Sequence, residues 1–291
     1  MDSSYLSFAH VRKYYGQNKA LDDFSMLIQP GERVALLGIN GAGKSTLVSL
    51  ATGIRKPDAG RVRLFGGLPH QKTNKQGLGY LSQSNELPQF LKVEEVLNVV
   101  ASHYARPYRE CIDLLDISSF LHKKIGSLSG GQHRRVAMAA SLIGGPQFVI
   151  MDEPTVGMDI GMRSQTFDML KEYFSENDRS ILFSTHHMDE VDKLADRVLV
   201  IHNGRLLAQG SVSEIKKKYG LREVSFHSKE KGVSIPSARY LFREEEFYRA
   251  VGLDSDRILR EVMEQVPDAS AFTIKEPDLE EIFVTLTRAS A

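Results

Sequence analysis

Several features are missing from this sequence, and each absence narrows what it can be. It has one cysteine, Cys111, in 291 residues. No intrachain disulfide can form, and a reducing cytoplasm fits. It has no excess of either charge, since Lys+Arg and Asp+Glu both number 37. Broad electrostatic association with nucleic acid needs clustered basic residues. The one short basic run, Lys216-Lys217-Lys218, reads as a solvated helix end, so no nucleic-acid partner is expected. Apolar stretches such as Phe148–Met151 and Val198–Ile201 are of strand length, far short of the roughly 18 residues of a membrane-spanning helix. Met1-Asp2-Ser3-Ser4 has neither the basic nor the apolar region of a signal peptide. A protein of this kind working at a membrane needs a partner to supply the span. There is no internal repeat and no low-complexity tract.

What is present is ordinary for a folded, soluble protein: 42% hydrophobic and 25% charged residues. The length suggests two domains, at roughly 150 residues each. Residues 5–11 and 24–28 alternate like strands, and Pro30-Gly31 turns the chain into an apolar strand over 34–37. A glycine-rich loop and a helix from about Lys44 follow, then a strand in "RVRLFGG". Residues 84–147 are predicted to be mostly helical, with Val93, Val96, Leu97 and Val100 at helical spacing. Strands at 148–151, 181–184 and 198–201 alternate with helices at 162–174 and 188–195, the pattern of a parallel sheet covered on both faces. Asn203-Gly204 marks a hairpin turn. The texture changes near residue 220. The domains are therefore predicted as 1–220 and 221–291, the second a small α+β unit with strands in "EVSFH", "ARYLF" and "AFTI". One helix there is lined by Ile258, Leu259, Val262, Met263 and Val266, and another by Leu279, Ile282, Phe283 and Leu286.

Two motifs carry chemistry. "GINGAGKST", residues 38–46, fits the phosphate-binding loop G-x-x-x-x-G-K-[ST] and lies between a strand and a helix, as such a loop must. Gly41 and Gly43 let backbone N–H groups close around phosphates, with the helix N-terminus adding positive potential. Lys44 is placed to reach the β- and γ-phosphates, Ser45 to ligate Mg²⁺ and Thr46 to support the α-phosphate. "FVIMDEP", residues 148–154, is an apolar strand ending in two carboxylates. Asp152 there can hold Mg²⁺ through water, and Glu153 can orient and deprotonate an attacking water.

With these motifs in order, residues 5–215 resemble the nucleotide-binding subunit of an ABC transporter. The fold this implies is an α/β P-loop NTPase cassette with a RecA-like core, an antiparallel β-subdomain and a helical subdomain over about 84–147. To it is attached the small α+β C-terminal domain. The resemblance makes ATP the ligand of Gly38, Asn40, Gly41, Ala42, Gly43, Lys44, Ser45 and Thr46. It places an adenine-stacking ring at Tyr15, with Tyr14 the alternative. It makes Gln83 of "GYLSQ" a Mg²⁺ ligand that senses the membrane partner, Asp159 of "VGMD" the D-loop aspartate, and His186 of "FSTHH" the switch histidine at the γ-phosphate; His187 reads as a surface neighbour. Ile39 and Ile160 stand where the family commonly has proline, and neither position supplies a reacting side chain. With Lys44, Gln83, Glu153 and His186 all present, an active ATPase is expected.

"SLSGGQ" opens a second glycine-rich helix start. Ser129 and Gln132 have capping-box spacing, so a well-capped helix explains part of it. Gly130 and Gly131 additionally let the backbone approach an anion. In the family this signature, with Asp159, serves the ATP held by a facing subunit. The resemblance therefore implies a second cassette as partner, self or paralogue, and transmembrane permease subunits, on the cytoplasmic face of the membrane. The tail "EPDLEEIFVTLT" resembles ATPases of ABC-2-type exporters. The alternative is a soluble ABC ATPase of an assembly system such as iron–sulfur cluster biogenesis, against which the extra C-terminal domain counts. With Ser129 only 46 positions after Gln83 there is no room for the coiled coil of a DNA-repair ABC ATPase.

Overall fold

The computed structural model describes residues 4–84, 86–175 and 179–288. Met1–Ser3, read above for a leader, Asn85 of the 84–147 segment and the last three residues of the C-terminal domain lie outside them. The chain divides into two compact units, 1–209 and 210–291.

The first unit runs β1 (Leu6–Tyr15), β2 (Asn18–Ile28), β3 (Arg33–Leu37), α1 (Lys44–Ala51), β4 (Ala59–Leu64), α2 (Lys72–Lys75), β5 (Leu78–Leu81), α3 (Val93–Ala101), α4 (Cys111–Leu114), α5 (Gly130–Leu142), β6 (Phe148–Asp152), α6 (Ile160–Ser175), β7 (Ser180–Thr185), α7 (Met188–Leu194), β8 (Arg197–His202) and β9 (Arg205–Gly210). β2, β1 and β4 form an antiparallel sheet in that order. The second sheet has the order β5-β6-β7-β3-β8-β9. Its first five strands are parallel; β3, β6, β7 and β8 are largely buried runs rich in Val, Ile, Leu and Phe, as a sheet covered on both faces requires, while the edge strand β5 is half-buried. β9 joins through Asn203 and Gly204, both left-handed at φ 47° and 71°, the conformation a two-residue hairpin needs.

Parallel register decides where the chemistry falls. Leu81 pairs with Met151, Asp152 with Ser184, and Leu37 with Thr185. The loops that follow β3, β5, β6 and β7 therefore all leave one edge of the sheet, the edge at which open α/β sheets bind ligands. A shared core of Leu6, Phe24, Leu36, Leu47, Phe148 and Ile150 packs the antiparallel sheet and α1 against it.

The 84–147 segment is less helical than its spacing suggests. Helical periodicity holds over α3 and α5, but Leu115, Ile117, Phe120 and Ile125 are buried from turns and short 3₁₀ segments. An apolar residue can be buried without belonging to a long helix.

In the second unit, α8 (Val212–Tyr219), β10 (Arg222–His227), β11 (Tyr240–Glu244), β12 (Phe247–Gly252), α9 (Ser255–Gln265), β13 (Ser270–Lys275) and α10 (Leu279–Arg288) follow. The strands form an antiparallel sheet, β11-β12-β10-β13. Val224, Phe226, Tyr248 and Ala250 pack beneath Ile258, Val262 and Val266, while Met263 turns outward. β12 escapes sequence reading because its buried face is only Tyr248, Ala250 and Gly252, with Arg249 between Phe247 and Val251 on the other face. The units divide before α8, not after it at 220: α8 packs on α10, which a change in composition does not reveal.

Candidate active site

The loop after β3 is shaped by two glycines. Gly41 and Gly43 are left-handed, at φ 82° and 111°. A Cβ on Gly43 would also meet the Ala20 carbonyl oxygen at 2.5 Å, so both conformation and space require glycine there. No side chain caps the first turn of α1, leaving its backbone donors and its positive end for an anion. This helix start opens into a cavity of about 390 Å³ lined by Tyr15, Asn18, Ala20, Ile39, Asn40, Gly41, Gly43, Lys44, Ser45, Thr46, Gln83 and Glu153. Gly38 and Ala42 are buried beneath the loop. A separate concavity of about 480 Å³, with Arg55, Arg61 and Arg63 among its lining residues, holds none of these groups. Lys44 is buried, its Nζ donating to the Gly38 carbonyl at 2.6 Å. Burial pulls the ammonium below its ordinary range, and the carboxylates of Glu153 and Asp152 oppose this.

Glu153 sits one residue past β6 with φ 47°, a left-handed backbone for a residue with a side chain. Such a conformation costs about 1–3 kcal/mol and persists only where its surroundings enforce it. Its N–H donates to Ser184 Oγ at 2.9 Å, and its carbonyl accepts from Arg134 Nη2 at 2.7 Å. The carboxylate points at two other expected residues. Gln83 Nε2 donates to Oε2 at 3.4 Å, and His186 Nδ1 is 3.6 Å from Oε1. Asp152 is buried and accepts the Ser184 hydroxyl proton. Ser184 thus holds the Asp152 carboxylate and the Glu153 backbone at once.

Tyr15 ends β1 and pairs with Asn18 across the hairpin. Its ring is partly exposed, with the Arg55 guanidinium 5.0 Å from the centroid. Tyr14 is equally exposed but does not line the cavity. His187 is half-buried, not a free surface residue. Its N–H donates to Thr185 Oγ1, and burial lowers the ring's pKa, opposed by Glu190.

Ser129, Gly130, Gly131, Gln132 and Asp159 lie outside this cavity. The signature start has its capping box: Gln132 N–H donates to Ser129 Oγ, and Ser129 N–H donates to Gln132 Oε1. Gly130 is open. A Cβ on Gly131 would come within 1.8 Å of Met162 Cε, so that glycine also serves packing inside the chain. Asp159 Oδ1 accepts from Met162 N–H and caps α6.

Two residues that shape the site are not legible in its motifs. Glu190, 2% exposed, accepts hydroxyl protons from Thr155 and Thr185, bridging the loop after Glu153 to the strand end before His186. Arg134, 5% exposed, bonds carbonyls on both sides of the site. The i, i+4 spacing of Glu190 with the buried Leu194 is the one signal that places it inward; nothing separates Arg134 from the neighbouring Arg135.

Ser45 and Gln83 on the cavity wall and Asp152 beside Glu153 offer oxygen atoms of the hard kind that a divalent cation such as Mg²⁺ would take. Among the described residues no group of three His, Cys, Asp or Glu could hold a metal. A cation here would need ligand phosphate oxygens as well.

Comparison with known proteins agrees with this geometry. Residues 21–156 match the family described as ABC transporter. Nod factor export ATP-binding protein I of Rhizobium sp. (strain N33) is 34% identical over 215 residues, 71% of this chain and 70% of that protein. ATP-binding cassette sub-family A member 2 of Homo sapiens is 35% identical over 221 residues, 72% of this chain and 9% of that much longer protein. Among solved structures, an ATP binding subunit of an ABC transporter has a TM-score of 0.66 at 25% identity, covering 74% of this chain and 93% of its own. The cbiO1 subunit of Clostridium perfringens has a TM-score of 0.66 at 30% identity, covering 74% and 92%. The α/β P-loop fold, the cavity and these relatives lead to one conclusion: the chain belongs to the ABC transporter family as an ATP-binding and ATP-hydrolysing subunit.

Proposed function

We propose that this chain powers an exporter of the ABC-2 type, as one of two cassettes that sandwich ATP between them at the cytoplasmic face of a membrane. The observation that carries the pairing is a separation. The cavity of Lys44 is lined by its own P-loop, Gln83 and Glu153, and by none of Ser129–Gln132. A signature that does not reach its own P-loop has a role if it serves a facing one, and the second chain is a copy or a paralogue. Export is supported by the Nod factor export relatives and by the "EPDLEEIFVTLT" tail.

The residues divide the work. Tyr15 stacks on adenine, while the 38–46 backbone and Lys44 hold the phosphates. Glu153 orients and deprotonates the attacking water, with Gln83 and His186 fixing its carboxylate from either side. Mg²⁺ bound with ATP neutralises phosphate charge, and Ser45, Gln83 and Asp152 are the residues that would hold it. Ser129, Gly130 and Asp159 close on the facing nucleotide. No helix among the described residues is long and apolar enough to cross a membrane; in this reading permease subunits are the membrane partners. The outward-facing Phe90 and Val99 of the 84–147 segment suit a docking surface for them.

The test is Glu153→Gln. Hydrolysis should fall by about 10²- to 10⁴-fold, the worth of a general base, with ATP binding retained and ATP now trapping a dimer. Single-turnover hydrolysis at the wild-type rate would remove Glu153 from its role. A chain that stays monomeric with ATP would remove the sandwich.

A further inference from the structure

The Arg134 side chain is bonded in a way that packing alone does not explain. It lies on α5, five residues after Ser129. Nε donates to the Pro154 carbonyl at 2.7 Å, Nη1 to those of Ser82 and Gln83 at 2.7 and 3.2 Å, and Nη2 to those of Asp152 and Glu153 at 2.9 and 2.7 Å. A guanidinium has five N–H groups, and here one planar fork spans two segments about seventy residues apart in the chain. Burial lowers its pKa to about 10, with Asp152 and Glu153 opposing the shift, so it stays charged at neutral pH. Burying a charge without a bonded counter-ion is costly; an apolar side chain would fill the same space at less cost. What an apolar side chain cannot do is hold these carbonyls in place.

Two of the carbonyls it holds belong to Gln83 and Glu153, the hydrolytic pair of the proposed mechanism. Glu153 keeps its left-handed backbone between Ser184 on its N–H and Arg134 on its carbonyl. The Gln83 carbonyl is held by the same guanidinium whose Nη2 holds Glu153, and their side chains meet at 3.4 Å. The helix carrying Arg134 begins at the signature.

We infer that Arg134 is a positioning residue that ties the signature helix to Gln83 and Glu153 of its own chain, so that docking of the signature on a facing ATP aligns the hydrolytic pair at the chain's own ATP. The link to the facing ATP rests on the paired-cassette reading above; the grip on Gln83 and Glu153 does not.

The test uses the full chain with Arg134→Lys and Arg134→Met. Lysine keeps the charge, but a single nitrogen cannot span both segments. In Arg134→Lys, kcat should fall by about 10²-fold, as expected when a reacting group is misplaced by about an ångström, while ATP affinity stays at the wild-type value and the Hill coefficient falls toward one. Arg134→Met should show the same split with a lower melting temperature. A double-mutant cycle adds a readout that a merely structural role would not give: in a Glu153→Gln background, Arg134→Lys should cause almost no further loss of rate. Unchanged kcat in a folded Arg134→Lys chain would overturn the inference. So would kcat and ATP affinity falling together, or additive losses in the cycle. Failure of the pairing reading shows separately: the Glu153→Gln chain would stay monomeric with ATP whatever stands at position 134, and that outcome overturns the link to the facing ATP.

Discussion

The two glycine-rich helix starts of this chain look alike in sequence and differ in what they leave unsatisfied. α1 begins at a left-handed Gly43 with no side-chain cap, and its donors face a cavity completed by Lys44 and Glu153. α5 begins at Ser129, whose side chain and that of Gln132 already satisfy two of its N–H groups. The first is built to bind phosphate by itself. The second is stable without a ligand and has anion-binding capacity to spare only at an exposed edge. That is the expected division between a loop that captures a nucleotide and a loop that closes on one already captured.

Substitutions at the two starts sharpen this contrast. The largest effect is expected from Ser129→Arg. A bulky cation on the exposed edge should abolish ATP-driven pairing, followed by size-exclusion chromatography, and with it hydrolysis, while the chain's own nucleotide affinity stays near wild type. An equal loss of affinity would erase the distinction. Lys44→Ala acts on the other start and should weaken nucleotide binding itself by about 10- to 100-fold, the range for a charge-assisted hydrogen bond of 1.5–3 kcal/mol, measurable by calorimetric titration. A smaller effect comes from matched glycine replacements, read by thermal unfolding. Gly43→Ala should cost at least about 1–3 kcal/mol, because its φ of 111° is strained for any side chain and the Ala20 backbone cannot retreat. Gly131→Ala should stay within about 1 kcal/mol of wild type, since alanine's helix propensity offsets moving the end of the Met162 side chain. Similar costs at both positions would mean the two starts are constrained alike.

The sequence carries most of the site where the chemistry is contiguous. Lys44, Ser45, Asp152 and Glu153 are readable because a P-loop and a strand-end carboxylate pair need fixed residue types at fixed spacing. Parallel pairing then brings the loops after β3, β5, β6 and β7 to one edge. The supporting residues follow no such rule. Ser184 reaches Glu153 across a strand pair, Glu190 bridges two threonines thirty residues apart, and Arg134 grips carbonyls some fifty residues earlier. Each depends on tertiary placement, and none but Glu190, four residues before the buried Leu194, differs locally from a surface residue of the same type. The fold shows the same limit. The long apolar strands are legible, whereas α8 joins the second unit through its packing on α10, and residues such as Leu115 and Phe120 are buried without helical periodicity to mark them.

The most direct test of the central claim, that one chain carries two half-sites for two different ATP molecules, is to mix Ser129→Arg chains with Lys44→Ala chains. In the mixed pair both lesions fall on one composite site, where the Lys44→Ala loop faces the Ser129→Arg signature, and the other site keeps both intact halves. The measurement is ATP-driven pairing and single-turnover hydrolysis in the mixture against each variant alone. The expected result is that both return in the mixture although neither variant shows them alone. A mixture as silent as its components, with Ser129→Arg binding nucleotide as poorly as Lys44→Ala, would mean that the signature acts within its own chain, contradicting the shared-site account.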